Sequence, residues 1–195
     1  MNILQSYNLP DNSLFDGQGQ EILVWKPDKT YIILGQRDSI DDAVEIENAK
    51  QENAIIMQRP SGGHSVVLTP KTVIVSMISR EHDLTAIKSF FHDCNMKIII
   101  ALQKQNVEGL SIQGISDIVL NGRKIVGSSM YKGKDFLFFH AVVNLAENPN
   151  YIAQFLKHPK TEPEYRKNRK HEEFITSLNE QGYTIDVEKL KRDIE

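Results

Sequence analysis

Short apolar blocks of changing period run along this chain, broken by proline, glycine and clustered charges. Two brief apolar runs, residues 21–25 and 30–34, flank Lys26-Pro27-Asp28-Lys29. A proline and a turn-forming aspartate between two such runs predict a β-hairpin. Ser39 then stands as an N-cap with Asp41 and Asp42 in the first turn, where carboxylates suit the helix dipole, and the helix is expected to run to about Glu52. Residues 54–57, 65–68 and 72–78 read as strands. From Leu84 to Gln105 the apolar residues Leu84, Ile87, Phe91, Cys94, Ile98 and Leu102 recur at intervals of three and four. That spacing draws one stripe along a long helix, with Asp83 or Thr85 as its cap.

Asp117–Leu120 and residues 124–130 follow as strands around Asn121-Gly122-Arg123. Asn-Gly is a strong hairpin signal because both residues tolerate positive φ. Residues 136–145 read as another strand and 150–157 as a short helix. Residues 158–171 are polar and proline-containing, a surface loop. A weaker helical signal covers 172–179, and Asp186 caps a last helix over Val187–Ile194. Strands and helices mix without regular βαβ alternation. This predicts an α+β fold of mixed or antiparallel sheets with helices packed on one side, rather than a doubly wound parallel sheet. No internal repeat is visible, and one domain over residues 1–195 is expected.

Composition adds exclusions. A net charge of −3 over 195 residues argues against a nucleic-acid binder. No apolar run has the length to cross a bilayer, and the N-terminus lacks the basic-then-apolar order of a signal peptide. One cysteine forms no internal disulfide, so a cytoplasmic location is expected. The six histidines show no metal-ligand spacing; His82 and His92 are expected at the surface.

Two segments carry chemistry. Gln58-Arg59-Pro60-Ser61-Gly62-Gly63-His64-Ser65-Val66 sits between strand candidates. Paired glycines let backbone N–H groups converge on an anion, and Arg59 adds a fixed charge. A plain Gly-Gly β-turn is the competing reading, and the Walker A order is missing. The second segment runs Ser116-Asp117-Ile118-Val119-Leu120-Asn121-Gly122-Arg123-Lys124-Ile125-Val126-Gly127-Ser128-Ser129. Lys124 on a strand after a tight turn has a fixed direction toward a phosphate or carbonyl oxygen, and Asp117 shares its face or holds Mg²⁺. A solvated hairpin tip is the alternative.

Together these segments resemble the lipoate–protein ligase A family, the biotin/lipoate ligase catalytic domain. That family carries Arg-Arg-x-Ser/Thr-Gly-Gly-Gly/Arg-Ala-Val-Tyr/Leu-His-Asp, and later Asn-Asp-Leu/Ile, a hairpin and Arg-Lys-Val/Ile-x-Gly-Ser-Ala. Ile33-Leu34-Gly35-Gln36 is similar to its Leu-Gly-Arg turn, and Phe139-His140-Ala141-Val142-Val143-Asn144-Leu145 to its His-Gly-Thr-Leu-Leu strand. The resemblance implies Lys124 as the catalytic residue. It implies an acyl-adenylate site of Arg59, Ser61, Gly62, Gly63, His64, Ser65, Val66, Val67, Asp117, Gly127, Ser128 and His140, with Asp117 as a Mg²⁺ contact. It further implies ATP and Mg²⁺, with lipoate or octanoate as the acid. The implied partners are lipoyl carrier domains of 2-oxoacid dehydrogenases or the glycine cleavage H protein, and a separate accessory subunit, since no accessory domain is expected after residue 194.

The sequence departs from the family on the nucleotide side. Ser116 replaces the asparagine of Asn-Asp, His64 stands at the third glycine, and Val66-Val67-Leu68-Thr69 lacks the His-Asp pair. Two alternatives therefore stand beside a ligase: an octanoyl or lipoyl transferase between carriers, and a non-catalytic relative that binds the acyl adenylate. Related octanoyltransferases use a cysteine, but Cys94 falls on the helical stripe and reads as core. The basic run 166–171 reads either as a solvated loop or as a segment that docks an acidic carrier or closes over the site. Pro163-Glu164-Tyr165-Arg166, Arg169 and His171 match a pattern in related chains, which favours closure.

Overall fold

Strand β6 (Thr72–Ser79) is buried along seven of its eight residues, because both of its faces are covered. This computed structural model describes residues 3–17, 21–80 and 87–195. In chain order the other elements are β1 (Leu4–Ser6), a 3₁₀ turn over Pro10–Asp16, β2 (Ile22–Trp25), β3 (Tyr31–Leu34), α1 (Ile40–Ala43), α2 (Ile46–Gln51), β4 (Ile55–Gln58) and β5 (Val66–Leu68). After β6 come α3 (Ile87–Gln103), β7 (Leu110–Gln113), β8 (Asp117–Leu120), β9 (Arg123–Lys132), β10 (Leu137–Asn144), α4 (Pro149–Ala153), a 3₁₀ turn over Glu164–Arg166, α5 (His171–Phe174) and α6 (Val187–Ile194).

The strands make two sheets. The larger is antiparallel, in the order β2-β6-β10-β9-β8-β7; the smaller is mixed, β1-β4-β3-β5, with β4 parallel to both β1 and β3. Val73, Val75 and Met77 of β6 face Phe91, Cys94, Ile98 and Leu102 of α3, with α6 adding Leu190 and Ile194. The opposite face of β6 turns Ile74 toward Ile33, Met57 and Leu68 of the small sheet. Beyond that sheet, Ile32, Ile56 and Val67 pack on Ala49 of α2 and on Ile152, Phe155 and Leu156. Each sheet thus has helices on one face and the other sheet on its second face, which is the α+β arrangement that the sequence predicts. No described helix is long and apolar enough to cross a membrane.

Two expectations fail. Residues 21–25 and 30–34 form no hairpin: β2 is an edge of the large sheet, while β3 lies between β4 and β5 in the small one. All four β3 residues are buried, so β3 is an interior strand with both edges occupied. The helix after Ser39 does not reach Glu52 unbroken. Ser39 does cap it, accepting from the Asp42 N–H at 3.2 Å, but Val44 leaves the helix to bridge Leu156, and a second helix starts at Ile46. Elsewhere boundaries move less. Asn121 and Gly122, at φ 51° and 72°, make the two-residue turn between β8 and β9. Asp186 caps α6 by accepting from the Lys189 N–H at 3.1 Å. Leu84 and the caps proposed at Asp83 and Thr85 lie outside the described residues, as does His82; His92 is exposed. Of 172–179, only 172–174 are helical, within α5; Ile175 is extended and bridges Lys124.

Candidate active site

The β8–β9 hairpin carries one irregularity, and it aims Lys124. Val119 pairs with Lys124, yet Ile118 pairs with Val126, so Ile125 is an extra residue. This bulge reverses the side-chain parity of β9. Ile125 and Val126 both enter the core under α3, while Lys124 and Gly127 share the other face with Asp117. Without the bulge, residues three apart on a strand would face opposite ways. Lys124 Nζ lies 2.8 Å from Asp117 Oδ1. Its stem crosses Gly127: a Cβ there would sit 2.7 Å from Cε and 2.8 Å from Nζ. Asp117 is 4% exposed; Oδ1 also accepts from Ser116 at 3.1 Å and Oδ2 from the Tyr165 hydroxyl at 2.6 Å.

The glycine turn is built around Arg59. Its guanidinium is buried and gives Nε–H to Ser61 Oγ (2.9 Å), Nη1–H to the Ile33 carbonyl (3.1 Å) and Nη2–H to the carbonyls of Gly62 and His64 (2.8 Å each). Burial lowers its pKa to about 10, which leaves it charged near neutrality. Arg59 therefore holds the loop's carbonyls inward. Ser129 Oγ donates to the Gly62 carbonyl at 2.7 Å and so ties the turn to β9. Ser65 donates to Asp38 Oδ2 at 2.7 Å.

A polar network that the sequence did not reveal lies beneath. Asp11, fully buried, accepts from Tyr7 OH at 2.8 and 3.0 Å and from Ser76 Oγ at 2.7 Å. Its Oδ2 is 3.9 Å from His140 Nδ1, and His140 Nε2 is 2.7 Å from Ser61 Oγ. The Ser61–His140 bond has its donor set by the imidazole tautomer, since the Ser61 oxygen, which already accepts from Arg59, has a second lone pair. Burial, with Arg59 second, lowers the His140 pKa to about 3. Serine, histidine and aspartate in this order resemble a nucleophilic triad. The chemistry does not follow: Ser61 is 1% exposed and occupied by a guanidinium, and so weak an imidazole base does not take its proton.

These parts surround a cavity of about 760 Å³ between the two sheets. Ile33, Val66, Leu68, Ile74, Val142 and Leu156 give it an apolar wall, and Lys124, Asp117, Ser128, His64 and Ser65 a polar one. Of the residues expected at the site, Arg59, Gly63, His64, Ser65, Val66, Val67, Asp117, Lys124, Gly127, Ser128 and His140 line this cavity. Ser61 and Gly62 do not; they act behind the wall through Arg59, His140 and Ser129. Ser128 Oγ also donates to the Ser116 carbonyl at 2.7 Å and lies 3.2 Å from Asn95 Oδ1, which sets the lysine hairpin against α3.

Residues 158–171 are more than a solvated loop. Pro159, Lys160, Thr161, Glu162 and Arg166 form part of the cavity wall. Arg169 donates to the Gly122 carbonyl at 3.0 Å, and Arg166 and Arg169 stack on Phe174 with ring distances of 4.8 and 5.3 Å. Cys94 is buried against the large sheet, and burial pushes its thiol up to about 12. It is not among the cavity-lining residues.

A magnesium site is a different matter. The Asp117 oxygens already serve Lys124, Ser116 and Tyr165, and among the described residues no group of three His, Cys, Asp or Glu could hold a metal. A Mg²⁺ ion carried on nucleotide phosphates needs only one or two carboxylates, and Asp117 is the carboxylate beside Lys124.

A two-sheet α+β domain with a lysine and a glycine turn on one cavity defines a class, and comparison with known proteins agrees. The model of the lipoyl protein ligase A/B catalytic domain matches residues 9–195, and the chain belongs to that family. It is similar to the lipoate-protein ligase LplJ of Bacillus subtilis, with 25% identity over 71% of this chain and 41% of that protein. The chain thus spans less than half the length of that relative. Its fold is similar to a bipartite lipoate protein ligase, described with its E2 lipoyl domain, from Thermoplasma acidophilum. The TM-score is 0.74 at 16% identity, over 94% of this chain and 73% of the other. It is equally similar to a lipoate-protein ligase A bound with ATP, with a TM-score of 0.74 at 16% identity over 94% and 74% of the two chains.

Proposed function

We propose that this chain forms the acyl-transfer site of a lipoate–protein ligase, holding lipoate or octanoate as its adenylate and passing the acyl group to a lysine of a lipoyl carrier domain. The observation that carries this reading is Lys124: an ammonium fixed by a bulge and a carboxylate at the polar wall of a cavity whose other wall is apolar. An acyl tail loses contact with water against Ile33, Leu68, Ile74 and Val142, which drives its entry. The mixed anhydride then lies near Lys124.

A free carboxylate is a poor acyl donor, and activation by ATP supplies AMP as the leaving group. When an amine attacks the acyl carbon, negative charge grows on the carbonyl oxygen and then on the departing phosphate. A fixed ammonium and the N–H face of the glycine turn stabilise both. Asp117 keeps Lys124 directed, and Arg59 keeps the turn in shape. The ATP-bound ligase and the ligase described with its lipoyl domain support this reading through shared fold and family.

The test of the activation half is exchange of labelled pyrophosphate into ATP by the purified chain. Exchange that requires lipoate or octanoate is expected. Its absence, together with transfer from synthetic lipoyl-AMP, would leave a transferase of preformed adenylate; the substituted Ser116 and Thr69 point to activation slower than transfer.

A further inference from the structure

A lysine side chain is a mobile point charge on four methylenes, and its direction has to come from its neighbours. For Lys124 one neighbour is Gly127, whose bare backbone gives the stem room, and the other is Asp117, 2.8 Å from Nζ. A carboxylate can itself rotate. That of Asp117 is held on Oδ1 by Ser116 and on Oδ2 by the 2.6 Å bond from the Tyr165 hydroxyl. Tyr165 belongs to neither strand of the hairpin. It sits in the 3₁₀ turn of the segment that walls the cavity, with its ring 5.2 Å from that of Phe174.

The same segment is also fastened to the lysine hairpin through backbone carbonyls on both sides. Arg169 donates to the Gly122 carbonyl at 3.0 Å, Arg123 to the Ile175 carbonyl at 2.6 Å, and the Thr176 N–H to the Lys124 carbonyl at 2.9 Å. The wall and the lysine strand are therefore one mechanical unit, and the phenol is the only member of these contacts that ends on the carboxylate of Asp117. Burial and the nearby carboxylate raise the Tyr165 pKa, so its oxygen keeps the hydrogen it donates.

We propose that Tyr165 is a positioning residue for acyl transfer: through Asp117 it sets the direction of Lys124, so that the lysine is aligned only when the 158–176 segment is in place. This rests on the reading of Lys124 as the lysine at the reacting group.

The test uses transfer from lipoyl-AMP to a lipoyl carrier domain by the full chain. Tyr165→Phe keeps the ring against Phe174 and removes only the hydroxyl. Loss of a hydrogen bond to a charged group is expected to lower kcat by about tenfold or more, with KM for lipoyl-AMP held within about twofold. Asp117→Asn is expected to lower kcat as well. The double variant is then no slower than Asp117→Asn alone, because Tyr165 acts through Asp117. Wild-type kcat in Tyr165→Phe would overturn the proposal, and so would losses that multiply in the double variant. Lys124→Ala in the same assay separates the two levels. If it is inactive while Tyr165→Phe is fully active, only the role of Tyr165 falls. If it transfers at the wild-type rate, the reading of the site falls with it.

Discussion

Lys124 and Gly127 face the same side of β9 although they are three residues apart, and the lysine stem fills the space where a Gly127 side chain would be. Gly127→Ala would bring a methyl group within 2.7 Å of Cε and 2.8 Å of Nζ. The intruding contact is with the end of a flexible side chain, so the lysine moves and the backbone need not. Acyl transfer is expected to fall by about tenfold or more, as misplacement of a reacting group does. The thermal midpoint should stay close to that of the wild type. Activity and melting curves on the same preparation check this; a stable variant with full activity would mean that the position of Nζ does not matter.

Cys94 belongs to the core and not to the chemistry. Cys94→Ser should retain acyl transfer while losing about 1 kcal/mol of stability to a hydroxyl placed among apolar neighbours. Urea unfolding gives the second quantity. Mass spectrometry during turnover checks the first: an acyl thioester on Cys94 would put a cysteine transferase in place of the adenylate mechanism.

The pH dependence of stability follows from His140. Its folded pKa, about 3, lies below the unfolded value of 6.5, mainly through burial and secondly through Arg59. Between those values only the unfolded chain binds the proton. The contribution of this neutral histidine is therefore complete above pH 6.5 and is lost as pH falls toward 3. The slope is about 1.4 kcal/mol per pH unit for the one proton. Denaturant titrations between pH 7 and 5 should show a shallower decline for His140→Gln than for the wild type. Parallel declines would place a protonated imidazole in the folded protein.

The sequence made the two segments that meet at the cavity more legible than their scaffolding. Local signals sufficed for the Asn121-Gly122 turn, the α3 stripe and the Asp186 cap, because each depends on residues a few positions apart. The separation of β2 from β3 was written only in the unbroken apolar run 31–34, which suits a strand with neighbours on both sides as well as it suits a hairpin arm. Asp11 and Tyr7 gave no signal: Pro10-Asp11-Asn12-Ser13 has the composition of an exposed turn, and Asp11 is buried by Ser76, 65 positions away. Tyr165 was missed as a partner for a related reason, since its bond to Asp117 spans 48 positions. The bulge at Ile125 is equally silent in the sequence, yet it is what turns a lysine near a hairpin tip into a lysine directed at a cavity.

The central claim is that Lys124 stabilises an acyl group in transfer, and single-turnover transfer from lipoyl-AMP to a lipoyl carrier domain tests it most directly. Because the donor is preformed, neither ATP nor an accessory partner enters the measurement. The account predicts that the wild-type chain adds one lipoyl group to the carrier, seen by intact mass. It predicts that Lys124→Ala, folded and with an unchanged melting curve, transfers at least about a hundredfold more slowly, the scale set by removing one fixed group that stabilises developing charge. Equal rates for Lys124→Ala and the wild type would contradict it.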